Sequence, residues 1–294
     1  MGIHSELGEF LRVRRAALQP EDVGVLNYGI RRVPGLRREE LAMLAGVSTT
    51  YYTRLEQGLS TNASEAVIEA IARALNLSKD ERVHLLNLAR PGKTKRRTPA
   101  KPDKVRPGTL RLIQSMSGTP AVVLGRRSEV LAWNALGHRL VAGHLDFAAP
   151  ETPSARPNMT RLLFLDDHTR ELYTRWPEEA RRAVASLRLV AGKSADDKEL
   201  ASLVGELTLK SPDFAKLWAQ HPVENCMTGV KYLHHPEVGY LELNFEVLTP
   251  PDESGHRVLL YAADLGSAAA GALQLLQVSS DSGKVPRGLA EIGS

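Results

Sequence analysis

Up to about residue 90, the apolar residues recur three and four positions apart, which is the spacing of amphipathic helices. The pattern predicts five short helices, and Ser78 and Glu81 form a capping box that opens the fifth. We therefore expect an all-α five-helix domain over residues 1–90. The apolar stripes comprise Leu7, Phe10, Leu11 and Leu18; Leu41, Leu44 and Ala45; Tyr52 and Leu55; Val67, Ile68, Ile71, Ala72 and Leu75; and Val83, Leu85, Leu86 and Leu88.

Residues 91–107 interrupt the helical pattern. Together with Arg90 they hold four prolines, eight basic residues and one acidic residue, without apolar periodicity. Such a composition is typical of a linker. Its positive charge fits plain solvation and fits additional contacts with phosphate, and the sequence leaves both readings open.

Beyond the linker, the apolar residues show the two-residue alternation of strands in some segments and the spacing of helices in others. Leu241, Leu243 and Phe245 alternate with polar residues, as in an antiparallel strand with one buried face. Other predicted strands cover residues 119–125, 130–133, 229–234 and 257–263, while helices are predicted over residues 158–220 and 268–276. The pattern predicts an α+β domain over residues 108–278, with an antiparallel sheet of about five strands. We expect residues 279–294 to form a disordered tail.

The net charge of +4 is distributed unevenly. Residues 1–106 carry +7, whereas residues 107–294 carry −3, so we expect only the first part to meet a polyanion. Cys226 is the single cysteine, which excludes an intramolecular disulfide and a multi-cysteine metal site. Because neither a signal peptide nor a membrane-spanning run is found, we expect a cytoplasmic protein without membrane contact.

Residues 38–58 fit a helix-turn-helix position by position. Ala42 is small where two helices cross, and Gly46 permits the positive φ of the tight turn. Val47 fills the gap between the helices, and Ser48 can cap the second one. The alternative, an ordinary helical hairpin, would not require all of these residues at these spacings. The segment therefore predicts binding of double-stranded DNA.

The second helix of this motif leaves several polar side chains outward. Its amino-terminal part enters the major groove, so we assign base contacts to Thr49, Thr50 and Arg54. For Arg54 a phosphate contact is the alternative, and Arg38 at the start of the preceding helix is expected to meet phosphate. The predicted DNA-binding residues are Arg31, Arg32, Arg38, Ser48, Thr49, Thr50, Thr53 and Arg54.

The motif resembles the Cro/repressor-like helix-turn-helix of the xenobiotic-response-element family. The whole chain is similar to the members of that family that carry an MmyB-like ligand-binding domain. The likeness covers nearly the whole length. It rests on residues 7–11, 33–42, 51–58, 119–121, 130–134, 211–214, 217–218 and 235–239.

The resemblance implies further features. The carboxy-terminal domain is expected to have a PAS-like fold and to take a small apolar ligand, such as a fatty acid. Arg15 is expected to form a structural ion pair with Glu56. The insert between residues 19 and 38 is usual in this group. Arg31 and Arg32 within it either contact DNA, including the minor groove, or belong to a solvated loop.

A sensor pocket has to be apolar with a few well-placed polar groups. Asn134, Arg161 or Arg182 are candidates to meet a ligand carboxylate. Packing in the core is the alternative explanation for each aromatic residue. The full candidate set is Trp133, Asn134, Arg161, Leu162, Phe164, Arg182, Leu187, Trp218, Leu243 and Phe245.

No pattern supports catalysis or a resident cofactor. His234 and His235 are adjacent, so on a strand they point to opposite faces, and we expect no metal site. Three hypotheses remain: a ligand-responsive DNA-binding regulator, expected to be a homodimer; a regulatory module whose helical domain binds a protein; and an enzyme domain fused to a DNA-binding regulator. The residues favour the first.

Overall fold

The computed structural model describes residues 5–25, 35–60, 63–89, 104–194, 196–252 and 254–281. By internal contacts the chain divides into two units. The first unit joins Met1–Arg97 with Val184–Asn225, and the second joins Thr98–Ala183 with Cys226–Ser294. The predicted domain boundaries remain a prediction. The internal contacts show in addition that residues 184–225 pack with the amino-terminal helices.

The elements follow the predicted order of helices, strands, helices and strands. The first ninety residues contain α1 (Glu6–Ala17), a 3-10 helix (Pro20–Val23), α2 (Arg38–Ala45), α3 (Thr49–Glu56), α4 (Glu65–Ala74) and α5 (Lys79–Ala89). The rest contains α6 (Pro107–Ser115), β1 (Ala121–Leu124), β2 (Val130–Trp133), α7 (Ala135–Ala142), a 3-10 helix (Ala149–Glu151), α8 (Met159–Leu165), α9 (Asp167–Leu172), α10 (Trp176–Lys193), α11 (Lys198–Lys210), α12 (Pro212–Ala219), β3 (Thr228–His235), β4 (Gly239–Leu248), β5 (Arg257–Ala262) and α13 (Ala268–Asp281).

The helices of the first unit begin where serine hydroxyls satisfy their free amide groups. Ser5, Ser48 and Ser64 each accept a hydrogen bond from the backbone three residues on, which explains the starts of α1, α3 and α4. The capping box of α5 is present, because Ser78 and Glu81 exchange side-chain to backbone bonds. The all-α five-helix prediction is thereby confirmed.

Two residues of the predicted apolar stripes lie outside the core of the first unit. Leu44 and Val83 are exposed, whereas Phe10, Leu41 and Leu55 are fully buried. On α5 the buried face is turned by one residue, so that His84 takes the inward position expected for Val83. The stripe prediction was wrong there because an uncharged histidine ring packs inside like an apolar group.

The second unit contains a five-stranded antiparallel sheet in the order β2-β1-β5-β4-β3. Along β4 the side chains of Leu241, Leu243 and Phe245 are buried, and the intervening residues are exposed. Both β1 and β2 are buried along their whole lengths. The α+β, PAS-like sheet of about five strands is therefore confirmed.

Helix α13 extends three residues into the segment predicted as a tail. The remainder of that tail and residues 91–103 of the linker lie outside the described residues. Where the structure describes the chain, no helix is long and apolar enough to cross a membrane. Over the same ranges, no group of three or more His, Cys, Asp or Glu side chains is placed to hold a metal ion.

Candidate functional site

The turn between α2 and α3 has the geometry that its residues predict. Gly46 ends α2 with φ of 67°, in the left-handed region that favours glycine. The Val47 amide then donates to the Ala42 carbonyl at 2.9 Å. Ala42 itself is buried, so the two helices cross over a methyl group. These contacts fix the angle at which α3 leaves the turn.

Helix α3 has one buried face and one polar face open to solvent. Ser48 caps its first turn by accepting from the Tyr51 amide at 3.1 Å. Tyr52 and Leu55 are fully buried and anchor the helix. The exposed face presents Ser48, Thr49, Thr50 and Arg54, with Thr53 half-buried beside them.

A buried carboxylate holds the carboxy-terminal end of α3. Arg15 on α1 donates to both oxygens of Glu56, with Nε···Oε2 and Nη2···Oε1 distances of 2.9 Å. Its third donor, Nη1, reaches the Leu36 carbonyl at 2.7 Å. Such a two-point arginine–carboxylate contact fixes direction as well as distance. Arg15 and Glu56 thus form the ion pair that the resemblance implied.

Arg38 shares the same carboxylate. Its Nε and Nη2 lie 3.0 and 2.8 Å from Oε1 of Glu56, while nearly half of its side-chain surface stays exposed. The sequence assigned Arg38 to phosphate and missed this contact, because residues 38 and 56 are brought together only by the crossing of α2 and α3. Arg38 therefore ties the start of α2 to the end of α3.

The ionisation of Glu56 follows from these partners. Burial by itself would raise its pKa, but the hydrogen bonds and charge of Arg15, with the hydrogen bond of Arg38, hold the pKa of Glu56 below its usual value. Burial likewise opposes the charge of Arg15, yet Glu56 raises the pKa of Arg15. Both groups stay charged, and the pair acts as a fixed brace for α3.

The start of α1 packs directly against the end of α3. A Cβ on Gly8 would lie 2.2 Å from the Glu56 carbonyl oxygen, and one on Gly58 would lie 2.6 Å from Oγ of Ser5. Only glycine permits these approaches. No local signal predicts this requirement at Gly8, because the residues around a helical glycine do not indicate a close neighbour from another helix.

The remaining DNA-binding candidates are Arg31 and Arg32, which lie outside the described residues.

The ligand-pocket candidates are divided between the two units. Eight lie in the second unit, where Trp133 donates from Nε1 to the Phe147 carbonyl at 2.8 Å. The amide of Asn134 is occupied at both ends. Its oxygen accepts from the backbone of Ala121 and Gly137, and its nitrogen donates to three backbone carbonyls. These bonds favour a structural role for Asn134 over contact with a ligand.

The other candidates of the second unit have varied surroundings. Phe164 packs edge-on against Trp176, with 5.6 Å between ring centroids, and Leu243 and Phe245 are buried beneath the sheet. Arg182 reaches the Val230 carbonyl at 3.5 Å. Arg161 is exposed and Leu162 is half-buried. A ligand role for this group stays a prediction.

Leu187 and Trp218 belong to the first unit instead. Leu187 is buried, whereas Trp218 lines a cavity of about 580 Å³ formed by α1, α5, α10, α11, α12 and the segments that join them. We call this space the helical cavity. Sequence reasoning missed it, since apolar periodicity shows which faces are buried and not where they leave space.

Comparison with known families matches both parts of the chain. Residues 6–85 match a helix-turn-helix domain, and residues 105–276 match the MmyB-like transcription regulator ligand binding domain. Neither is an enzyme family. No curated protein matches the chain.

Proposed function

The chain belongs to the transcription regulators with an MmyB-like ligand-binding domain, and from that premise we propose that α3 reads the base edges of its operator. At the coarser level the protein is a DNA-binding transcription regulator with a ligand-sensing domain. The proposal adds which helix contacts the bases, which of its side chains make these contacts, and which class of ligand the second domain senses.

The observation that carries the proposal is the exposed polar face of α3 above a buried brace. Thr49, Thr50 and Arg54 point outward, while the Arg15–Glu56 pair holds the helix from beneath. A reading helix has to keep its side chains in fixed register with the base edges, and a rigid support serves that need. An ordinary helical hairpin would not require a buried ion pair beneath an exposed polar face.

Each exposed residue has a role in this proposal. Thr49 and Thr50 contact bases through hydroxyl or methyl groups, and Arg54 bridges a guanine. Ser48 and Thr53 flank them and contact the sugar–phosphate backbone. Arg38 offers its exposed edge to a phosphate while it remains paired with Glu56.

We also propose that two copies bind a two-fold operator and that a small apolar effector alters their affinity. A fatty acid is the effector class that the resemblance implies. Arg31 and Arg32 add contacts to the DNA backbone or the minor groove.

The test compares two variants of the full chain on its own upstream DNA by fluorescence anisotropy. Replacing Thr49, Thr50 and Arg54 together by alanine should weaken specific binding by about 100-fold or more, since each good base contact discriminates by about 1–3 kcal/mol. Arg73→Ala removes the same charge from the exposed surface of α4 and is the matched control. It should change affinity by less than about threefold.

Survival of DNA affinity in the triple variant would contradict the proposal and would favour the protein-binding alternative. The salt dependence gives a second readout. Arg38→Ala should reduce the slope of log affinity against log salt by about one, as expected for one lost phosphate contact.

A further inference from the structure

The walls of the helical cavity are mostly apolar. Leu7 and Leu88 contribute from α1 and α5, Leu200 and Val204 from α11, and Trp218 from α12. A volume of about 580 Å³ falls within the range of pockets that hold small organic ligands.

A glycine lies at the open side of this space. Gly205 on α11 is exposed and lines the cavity, and a Cβ built on it would meet no atom within 4 Å. Glycine within a helix destabilises it relative to alanine. A residue that costs helix stability and leaves room beside an apolar cavity is consistent with a space kept for an occupant.

The polar groups of the cavity are hydroxyls, one amide and two carboxylates. Ser5, Ser60, Ser194 and Asn87 can exchange hydrogen bonds with a head group. Asp197 adds negative charge, whereas the Glu6 carboxylate is paired with the buried Arg188, whose Nη1 lies 3.1 Å from its Oε2. Among the described lining residues there is no lysine, arginine or histidine. Because Arg188 compensates Glu6, the negative charge left on the lining is that of Asp197, which opposes a carboxylate and accepts an alcohol or an ammonium group.

The cavity is directly connected to the recognition helix. Ser5 and Ser60 line it, and Ser5 contacts the segment that ends α3, since a Cβ on Gly58 would lie 2.6 Å from its Oγ. Ser5 also caps α1 by accepting from the Gly8 amide at 3.1 Å. Gly8 in turn lies against the Glu56 carbonyl. A molecule in the cavity therefore touches the residues that position the end of α3.

We propose that the helical cavity binds an apolar molecule with a neutral or positively charged head group, and that binding alters DNA affinity through the packing of α1 against α3. The regulatory half rests on the proposed function, whereas the binding half does not. The ligand class differs from the fatty acid implied by the resemblance. The ligand then changes the DNA affinity only to the extent that it binds one arrangement of these helices more tightly than another.

The first experiment measures binding of decylamine, decanol and decanoate to the full chain by calorimetry. Decylammonium should bind at least about tenfold more tightly than decanoate, because the Asp197 carboxylate attracts one head group and repels the other. Gly205→Phe, which fills the open space, should weaken decylammonium and decanol by at least about tenfold. Gly205→Ala is the matched control and should bind within about threefold of the original chain.

The charge is tested separately with Asp197→Asn. Asp197 caps α11 by accepting from the Leu200 amide at 3.0 Å, and asparagine caps a helix equally well, so the fold is preserved. The preference for decylammonium over decanoate should fall by about threefold or more. Tighter binding of decanoate, or equal binding of decylammonium to the original chain and to Gly205→Phe, would overturn the binding half.

The coupling is read as the change in DNA affinity on adding decylammonium, each variant being compared with its own ligand-free value. The original chain and Gly205→Ala should respond by at least about fivefold, the lower range of coupling in allosteric proteins, and Gly205→Phe should not respond. If the original chain binds DNA but does not respond, the regulatory half is wrong. If it binds no DNA at all, the proposed function fails instead.

Discussion

Two buried arginines hold the first unit together in different ways. Arg15 meets the buried carboxylate of Glu56 with two hydrogen bonds, and its pKa is raised against the effect of burial. Arg188 on α10 is 1% exposed. Within the part of the chain that the structure describes, its partners are Glu6, whose side chain is 59% exposed, and the carbonyl and ring of Trp218. Burial lowers the pKa of Arg188 to about 10.

The two arginines differ in how completely their buried charges are compensated. Nε of Arg188 has no hydrogen-bond partner among the residues that the structure describes, and a buried charge without full compensation is costly. Burial, and then the charge of the same arginine, lower the pKa values of His84 and His221. The charge of Arg15 in the brace of α3 is therefore fully compensated, whereas the charge of Arg188 is only partly compensated. We call the contact of Arg188 with α1, together with the neutral His84 on α5, the marginal packing.

Removal of the brace should have the largest effect. Glu56→Gln leaves the Arg15 charge buried without its counter-charge, so the free energy of unfolding should fall by about 3–5 kcal/mol. Urea unfolding followed by circular dichroism measures it. A loss below about 1 kcal/mol would mean that the brace is no stronger than a surface ion pair.

Acidification should weaken the marginal packing next. Burial first, and then the charges of Arg188 and Arg14, lower the pKa of His84 to about 4, so its neutral form is the one that folds. The contribution of neutral His84 to the free energy of unfolding is fully present above the unfolded pKa of about 6.5, and it is lost as the pH falls towards 4. Between pH 7 and 5, His84 alone should cost about 2 kcal/mol of unfolding free energy.

His84→Leu provides the control for this pH dependence, because leucine cannot take up a proton. The variant should lose correspondingly less stability between pH 7 and 5. Carboxylates titrate mainly below this window, so they do not obscure the difference. An unchanged pH profile in His84→Leu would contradict a neutral buried histidine.

Two glycines on either side of the helical cavity offer a smaller, matched test. A Cβ on Gly192 would lie 2.6 Å from the His84 ring, whereas one on Gly205 meets nothing within 4 Å. Gly192→Ala should destabilise by about 1–2 kcal/mol through overpacking, and Gly205→Ala should stabilise by about 0.5–1 kcal/mol through helix propensity. Melting temperatures of the two variants should therefore shift in opposite directions.

The smallest effect is expected at the exposed partner of Arg188. Glu6→Gln should change the unfolding free energy by no more than about 1 kcal/mol, because solvent screens the exposed carboxylate and it therefore compensates little of the Arg188 charge. Glu6→Gln makes the same chemical change at the partner of Arg188 that Glu56→Gln makes at the partner of Arg15. Equal losses in the two variants would remove the distinction between brace and marginal packing.

The sequence predicted the elements well because their signals are local. Serine caps, the glycine turn at Gly46 and the alternation along β4 each specify structure over a few residues. It did not predict Arg38 on Glu56 or His84 in the core, since both depend on how helices cross. Nor did it predict the helical cavity, whose walls come from residues nearly 200 positions apart, as with Leu7 and Leu200.

Hydrogen exchange of the full chain with and without decylammonium tests most directly whether a ligand acts beside the DNA-reading helix. Protection should increase in α1, in α5 and in residues 184–205, with smaller changes in the sheet. Exchange that slows only in β1, β2 and β3–β5 would place the ligand at the sheet and contradict the account.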